Sequence, residues 1–168
     1  DASFLINDRF DLWKVDPRNP ASAQNLTGGE GRKTQKSFRR ERLKVNEVAI
    51  DPKESLILSA FDEVNKKSGF YSANYQGKGL PKELLLSNHL NYGIRKAENS
   101  TQLLLRRSTY KESPDLYLSD LTFSSFVKAS ALNPQQAGVK WGNVKLVSYL
   151  SQDGTPLQGL LFTPEGFD

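Results

Sequence analysis

Arg106 and Arg107 are the side chains best placed to grip a ligand, because they close the apolar run Leu103-Leu104-Leu105. Successive side chains of a strand point to opposite faces, so one of the two guanidiniums is expected to look into any channel or cavity the strand borders. There it could clamp a carboxylate through two parallel hydrogen bonds. A strand-end charge in water or in an ion pair is the plainer alternative. His89 is the single imidazole and lies in Leu86-Ser87-Asn88-His89-Leu90-Asn91-Tyr92. Ser87 is two positions away, and a general base needs both a positioned nucleophile and an orienting group, so His89 reads as a surface or turn residue. No serine has glycine at both positions of a Gly-x-Ser-x-Gly elbow, the strained turn that exposes a nucleophilic hydroxyl. We therefore expect no catalytic residue within these 168 residues.

Metal and redox chemistry is narrowed just as far. The chain has no cysteine, which excludes disulfides, thiolate metal sites and a cysteine nucleophile. One histidine leaves only carboxylate sites for a metal, and we expect neither metal nor cofactor. The adjacent pair Asp62-Glu63 reads as the solvated tip of a hairpin. Asn25-Leu26-Thr27 and Asn99-Ser100-Thr101 match the glycosylation sequon, a motif common by chance.

The net charge of +4 is uneven. Arg32, Lys33, Lys36, Arg39, Arg40, Arg42 and Lys44 crowd into thirteen residues opposed only by Glu41. Such a cluster could grip phosphates, but Phe38 is the one aromatic beside it and no nucleic-acid motif accompanies it. In residues 37–45 apolar Leu43 and Val45 alternate with basic Arg40, Arg42 and Lys44, which predicts a strand with one wet face rather than a nucleic-acid partner. No apolar run reaches the roughly 18 residues of a membrane span, so no membrane partner is expected. The first residues lack a signal peptide's basic and apolar regions, and the chain holds no Met, which we read as a removed natural N-terminus. The lack of cysteine fits an exported protein, periplasmic or secreted, better than a cytoplasmic one.

The elements that must position these residues are strands. Hydrophobic residues make up 37% and charged residues 25%, ordinary values for a globular chain. Candidate strands are 3–8, 11–16, 38–45, 47–50, 55–61, 68–75, 82–86, 102–108, 115–120 and 143–150, bounded by turn chemistry such as Asp16-Pro17, Asp51-Pro52 and Ser113-Pro114. The stretch 19–24 is Pro/Ala/Ser-rich and reads as a loop, and 121–131 leans toward extended structure.

One pattern occurs three times. Phe4-Leu5-Ile6-Asn7 is followed by Asp11-Leu12-Trp13, Leu56-Ile57-Leu58-Ser59 by Gly69-Phe70-Tyr71, and Leu103-Leu104-Leu105-Arg106 by Asp115-Leu116-Tyr117. Trp13, Tyr71 and Tyr117 stand 58 and 46 residues apart and are expected to pack between repeats, with extra residues lengthening the first interval. Strand-filled repeats of about 40–50 residues are the signature of propeller blades. We expect an all-β fold: a partial β-propeller of about three blades over 1–138, then a connecting strand and hairpin over 139–168. The first copy starts too near residue 1 for an inner strand to precede it. Propellers close with about 4–8 blades, so three leave open edges and apolar faces through which the chain could self-associate. Asp153-Gly154 marks the turn of the last hairpin, and Trp141 is expected to pack at the domain junction.

The segment 108–120, with Pro114-Asp115-Leu116-Tyr117-Leu118-Ser119-Asp120, resembles the Pro-x-Leu-Tyr segment of the prolyl oligopeptidase family of serine peptidases. Leu132-Asn133-Pro134-Gln135 follows as in that family. The run from Ser151-Gln152-Asp153-Gly154 to Gly159-Leu160-Leu161-Phe162-Thr163-Pro164 resembles its passage from propeller to peptidase domain. The resemblance implies a propeller that gates and orients oligopeptide substrates for its own α/β-hydrolase domain, whose serine, aspartate and histidine would do the chemistry. No triad residue carries over to this chain, which alone should be inactive. It leaves Arg106 and Arg107 as the substrate-binding candidates, here for a peptide carboxylate. The family's dipeptidyl peptidases bind a substrate amino terminus with glutamates of an early propeller segment, whereas Asp62-Glu63 lies later. A free-standing binding propeller explains the repeats equally well but not the tail 141–168.

Overall fold

The computed structural model describes residues 3–44 and 47–167 and is built almost entirely of antiparallel sheet. The first sheet holds β1 (Phe4–Asn7), β2 (Leu12–Asp16) and β3 (Asn19–Asn25). The second holds β4 (Lys36–Arg40), β5 (Ser55–Asp62), β6 (Ser68–Asn74) and β7 (Lys82–Ser87). The third holds β8 (Leu90–Lys96), β9 (Gln102–Ser108), β10 (Asp115–Asp120) and β11 (Val127–Lys128). In each sheet the strands lie in chain order, as in a propeller blade. A short helix α1 (Glu30–Thr34) precedes β4, and the hairpin β12 (Asn143–Leu150) with β13 (Pro156–Thr163) forms a separate pair.

The repeat is exact in register as well as in sequence. Ile6 pairs with Trp13, Leu58 with Tyr71 and Leu105 with Tyr117, one matched cross-strand pair per sheet. Alternation then sorts the side chains onto two faces. Leu56, Leu58, Ala60, Tyr71 and Ala73 of the second sheet join Leu12 and Leu26 of the first in one buried cluster. Ile57 and Phe70, one position out of phase, join Ile94, Leu103, Leu105 and Phe123 of the third sheet in the other. The second sheet is therefore packed on both faces, which explains why β5 reads Leu-Ile-Leu without polar interruption. Phe38 meets Tyr71 edge-on at 5.1 Å, and Phe70 stacks on Phe123 at 4.5 Å.

Several expectations need correction. Residues 19–24 are not a loop but belong to β3; the strand is a sheet edge, where Pro20 breaks no ladder. The strand expected over 38–45 spans 36–40, and Glu41–Lys44 are irregular, while Val45 lies outside the described residues. The strand expected over 47–50 does not form. Leu90–Lys96 is a strand that alternation missed, because a bulge at Gly93 (φ 64°) breaks its period. The long first interval comes from α1 and from the irregular connection 41–54, where residues 97–101 suffice in the third sheet.

Candidate functional site

The turns β1–β2, β5–β6 and β9–β10 lie at one end of the stacked sheets, together with the β7–β8 connection, and the C-terminal hairpin sits across that end. Tyr110, in the β9–β10 turn, meets Trp141 edge-on at 5.8 Å and Phe162 at 5.4 Å. Lys111 Nζ donates to Asn143 Oδ1 at 2.8 Å, and Trp141 Nε1 donates to the Gln136 carbonyl at 3.0 Å. Over the second sheet, Gln158 Nε2 donates to the Val64 carbonyl at 3.0 Å. A cavity of about 560 Å³ opens there, lined by Gln35, Glu63, Tyr149, Leu157 and Gln158.

Arg106 and Arg107 leave β9 toward this end on opposite faces, as strand geometry requires. Arg107 turns to the packed face. Its guanidinium lies 4.0 Å from the Phe126 ring centroid and 5.2 Å from that of Tyr117, and its Nε donates to Asn91 Oδ1 at 3.2 Å. Asn91 is itself buried and fixed, donating through Nδ2 to Ser87 Oγ at 3.0 Å and to the His89 carbonyl at 2.9 Å. Arg107 is thus engaged by two aromatic rings. Arg106 is exposed on the other face, with its guanidinium 6.0 Å from the Tyr92 ring. Among the described residues it makes no ion pair, which leaves its fork open to a carboxylate.

The remaining candidates resolve into structural roles. His89 Nε2 faces the exposed Glu112 carboxylate at 3.6 Å, while Ser87 Oγ accepts from the His89 backbone N–H and not from its imidazole. Asp62 is not a solvated tip residue: it is buried and accepts from Val64 N at 2.9 Å and Asn65 N at 3.0 Å, with Lys36 at 3.6 Å. Burial alone would raise its pKa, but those two N–H groups and Lys36 outweigh it and hold the carboxyl below its ordinary value. The basic cluster is not one wet strand face either. Arg32 bonds Asp8 at 3.2 Å, Arg40 pairs with Glu47, Lys44 with Glu54 at 2.8 Å, and Arg39 caps the Arg9 carbonyl at 2.9 Å. Its charges are distributed over helix, strand and loop and largely neutralised, a poor track for a phosphate backbone. Among the described residues no cluster of acidic or histidine side chains could hold a metal ion.

Tyr71 is buried between sheets, and burial first, then its 2.6 Å bond to Glu83, pushes its hydroxyl pKa up. Tyr117 packs against the second cluster. Trp13 takes the matched position but bonds Asp8 Oδ2 through Nε1 at 3.1 Å on the uncovered face of the first sheet. Tyr110, which anchors the hairpin, carried no signal in the sequence beyond its place in a turn.

The fold is a stack of propeller blades. Over 100% of this chain it is similar to part of a prolyl endopeptidase, solved in a study of inter-domain dynamics in two such enzymes, with a TM-score of 0.60 and 16% identity. The match takes in 24% of that protein, so the chain spans about a quarter of its length. A variant of the AtxE2 isopeptidase with Astexin3-dC4 bound also matches, at TM-score 0.47 and 12% identity, over 94% of this chain and 30% of that one. No protein-family model matches the chain, and no curated protein does.

Proposed function

We propose that this chain is propeller from a serine peptidase similar to the prolyl oligopeptidases, and that it gates and orients oligopeptides for an α/β-hydrolase domain encoded beyond it. Residues 1–138 are the gate and 139–168 the passage into the hydrolase. The observation that carries this is the hairpin β12–β13: it joins no blade, yet it is anchored through Tyr110 and Val64 across the turns of two of them. A chain whose fold, over its own full length, is similar to part of a prolyl endopeptidase, and whose tail resembles that family's domain passage, supports the same reading.

The chemistry would belong to the hydrolase domain: a serine on a Gly-x-Ser-x-Gly elbow, a histidine to take its proton and an aspartate to orient the histidine. This chain would contribute restricted access and a positioning charge. Arg106 is the group for a peptide carboxylate, since Arg107 is engaged by Tyr117, Phe126 and Asn91.

The test is to read the coding frame beyond Asp168 and assay its full product on short peptides with free and amidated C-termini. The expected result is an encoded elbow with later Asp and His, cleavage by the full product and none by residues 1–168. Arg106→Ala should raise KM for the free-acid peptide about tenfold and leave the amide unchanged, the loss of one charge-assisted pair. A frame with no hydrolase would overturn the proposal in favour of a free-standing binding propeller.

A further inference from the structure

The seam between the second and third sheets opens, at the end away from the hairpin, into a cavity of about 450 Å³. One wall comes from the second sheet, where β4 ends and β5 begins, and the other from the third, where β8 and β10 end. The lining between them is apolar: Ile57 is buried, and Leu43, Leu84 and Leu121 pack against the second cluster beside it. Six charged residues also line the cavity, and four of them neutralise one another in pairs. Arg40 is paired with Glu47, and Lys44 with Glu54 at 2.8 Å. Glu41 and Lys96 are left over. The Glu41 backbone N–H donates to the Ile57 carbonyl at 2.9 Å, which fixes the residue at the cavity, and Lys96 Nζ donates to the neighbouring Ala97 carbonyl at 3.1 Å. Neither side chain makes an ion pair among the described residues, although the two bring opposite charges to one cavity.

We propose that this cavity binds a short peptide of apolar residues with both termini free, its ammonium group on Glu41 and its carboxylate on Lys96. The volume lies within the range of about 300–1,000 Å³ usual for small-ligand sites. An apolar lining calls for an apolar body, and the two leftover charges call for one cation and one anion. Their placement sets the form of the ligand. Glu41 follows β4 of the second sheet and Lys96 closes β8 of the third, so the ligand's charges must stand at its opposite ends. A free amino acid carries both charges on one carbon and cannot bridge the two walls. A dipeptide such as leucyl-leucine separates them by a peptide unit and fills the space between with two apolar side chains. Both walls belong to the seam between two packed sheets, away from the outer faces of the first and third. The site lies at the end opposite to the one assigned to the peptidase gate and is independent of that reading.

The test is titration calorimetry of the chain with leucyl-leucine and with its N-acetylated and C-amidated forms. The expected result is binding of the free dipeptide, with each blocked form about tenfold weaker for the loss of one charge-assisted pair. Glu41→Gln should bind the free dipeptide about tenfold more weakly and the N-acetylated form as the unmodified chain does. Lys96→Gln should behave in the same way toward the amide. Each variant keeps its discrimination at the other end of the ligand, which also shows that it is folded. No binding up to about 10 mM leucyl-leucine would overturn the proposal. So would equal affinity for the free and blocked forms, which would mean apolar adsorption alone, or variants that weaken all three forms alike.

Discussion

Aspartates at one repeated position tie the first and third sheets to the segments that follow them. Asp11, fully buried, accepts from Thr27 Oγ1 at 2.5 Å, Gly31 N at 3.0 Å and Arg32 N at 3.1 Å. Asp115, its equivalent in the third sheet, accepts from Lys128 Nζ at 2.6 Å, Ser130 Oγ at 2.6 Å and Leu132 N at 2.9 Å. The second sheet has Gly69 there instead, since a Cβ would stand 1.9 Å from the Leu85 carbonyl oxygen. Asp11→Ala strands three donors in a dry site and should lower stability by about 2–3 kcal/mol in urea denaturation; a loss below about 0.5 kcal/mol would contradict this role. Acid should act on the same class of residue. Lys128 first, then Ser130 and Leu132 N–H, hold Asp115 down to about 2 from an ordinary 3.8. The Asp11 N–H, then Phe10 N–H, Trp13 and Arg32, outweigh burial and hold Asp8 down to about 2. A carboxyl with a depressed folded pKa contributes stability that is complete above its unfolded value and lost as pH falls toward the folded one. Urea midpoints should accordingly drop between about pH 5 and pH 2, and Asp115→Asn should make that drop shallower. An unchanged slope would remove Asp115 from the explanation.

At the scale of elements, the second sheet is the keystone because it alone is covered on both faces. Leu58→Ala empties a fully buried position between two sheets and should cost about 2–5 kcal/mol. Gly69→Ala should cost about 3 kcal/mol or more, because the clash is with backbone that cannot move without parting β6 from β7. Both are measurable by thermal unfolding, and a tolerated Gly69→Ala would contradict the close approach. What was legible in the sequence tracks this packing. β5, β6, β9 and β10 alternate or run apolar because they line the two clusters, and two of the three copies of the pattern lie on them. β3 was not legible: as an exposed edge it needs no apolar residues, so Asn19-Pro20-Ala21-Ser22 passes for a loop. Alternation over 37–45 suggested a longer strand, but past Arg40 the chain leaves the sheet, with Leu43 packed against the second cluster and Lys44 paired with Glu54. For the candidate site, the opposite headings of Arg106 and Arg107 followed from strand geometry alone. The partners of Arg107 did not, because Phe126 arrives from an irregular segment and Asn91 from the bulged strand.

At the scale of the whole molecule, three sheets stack through two apolar seams, and a separate hairpin crosses the end at which their turns meet. At that end His89 faces Glu112, and Ser87 Oγ accepts from the His89 backbone N–H. In the proposed peptidase the role of this arrangement would be exclusion: a wall of blades would admit an extended peptide and refuse a folded chain. The sequence marked the hairpin by Asp153-Gly154, and that turn forms with Gly154 at φ 81°. How it docks was hidden, because Tyr110 and Gln158 act across long separations in chain.

Gating is the central claim, and size selectivity measures it most directly. The full product of the reading frame should be offered one cleavable sequence in two forms, as a short free peptide and as a surface loop of a folded protein. The proposed role predicts cleavage of the peptide at least a hundredfold faster than of the loop, and no cleavage of either by residues 1–168. Equal rates on both forms, or no cleavage of the peptide, would contradict it.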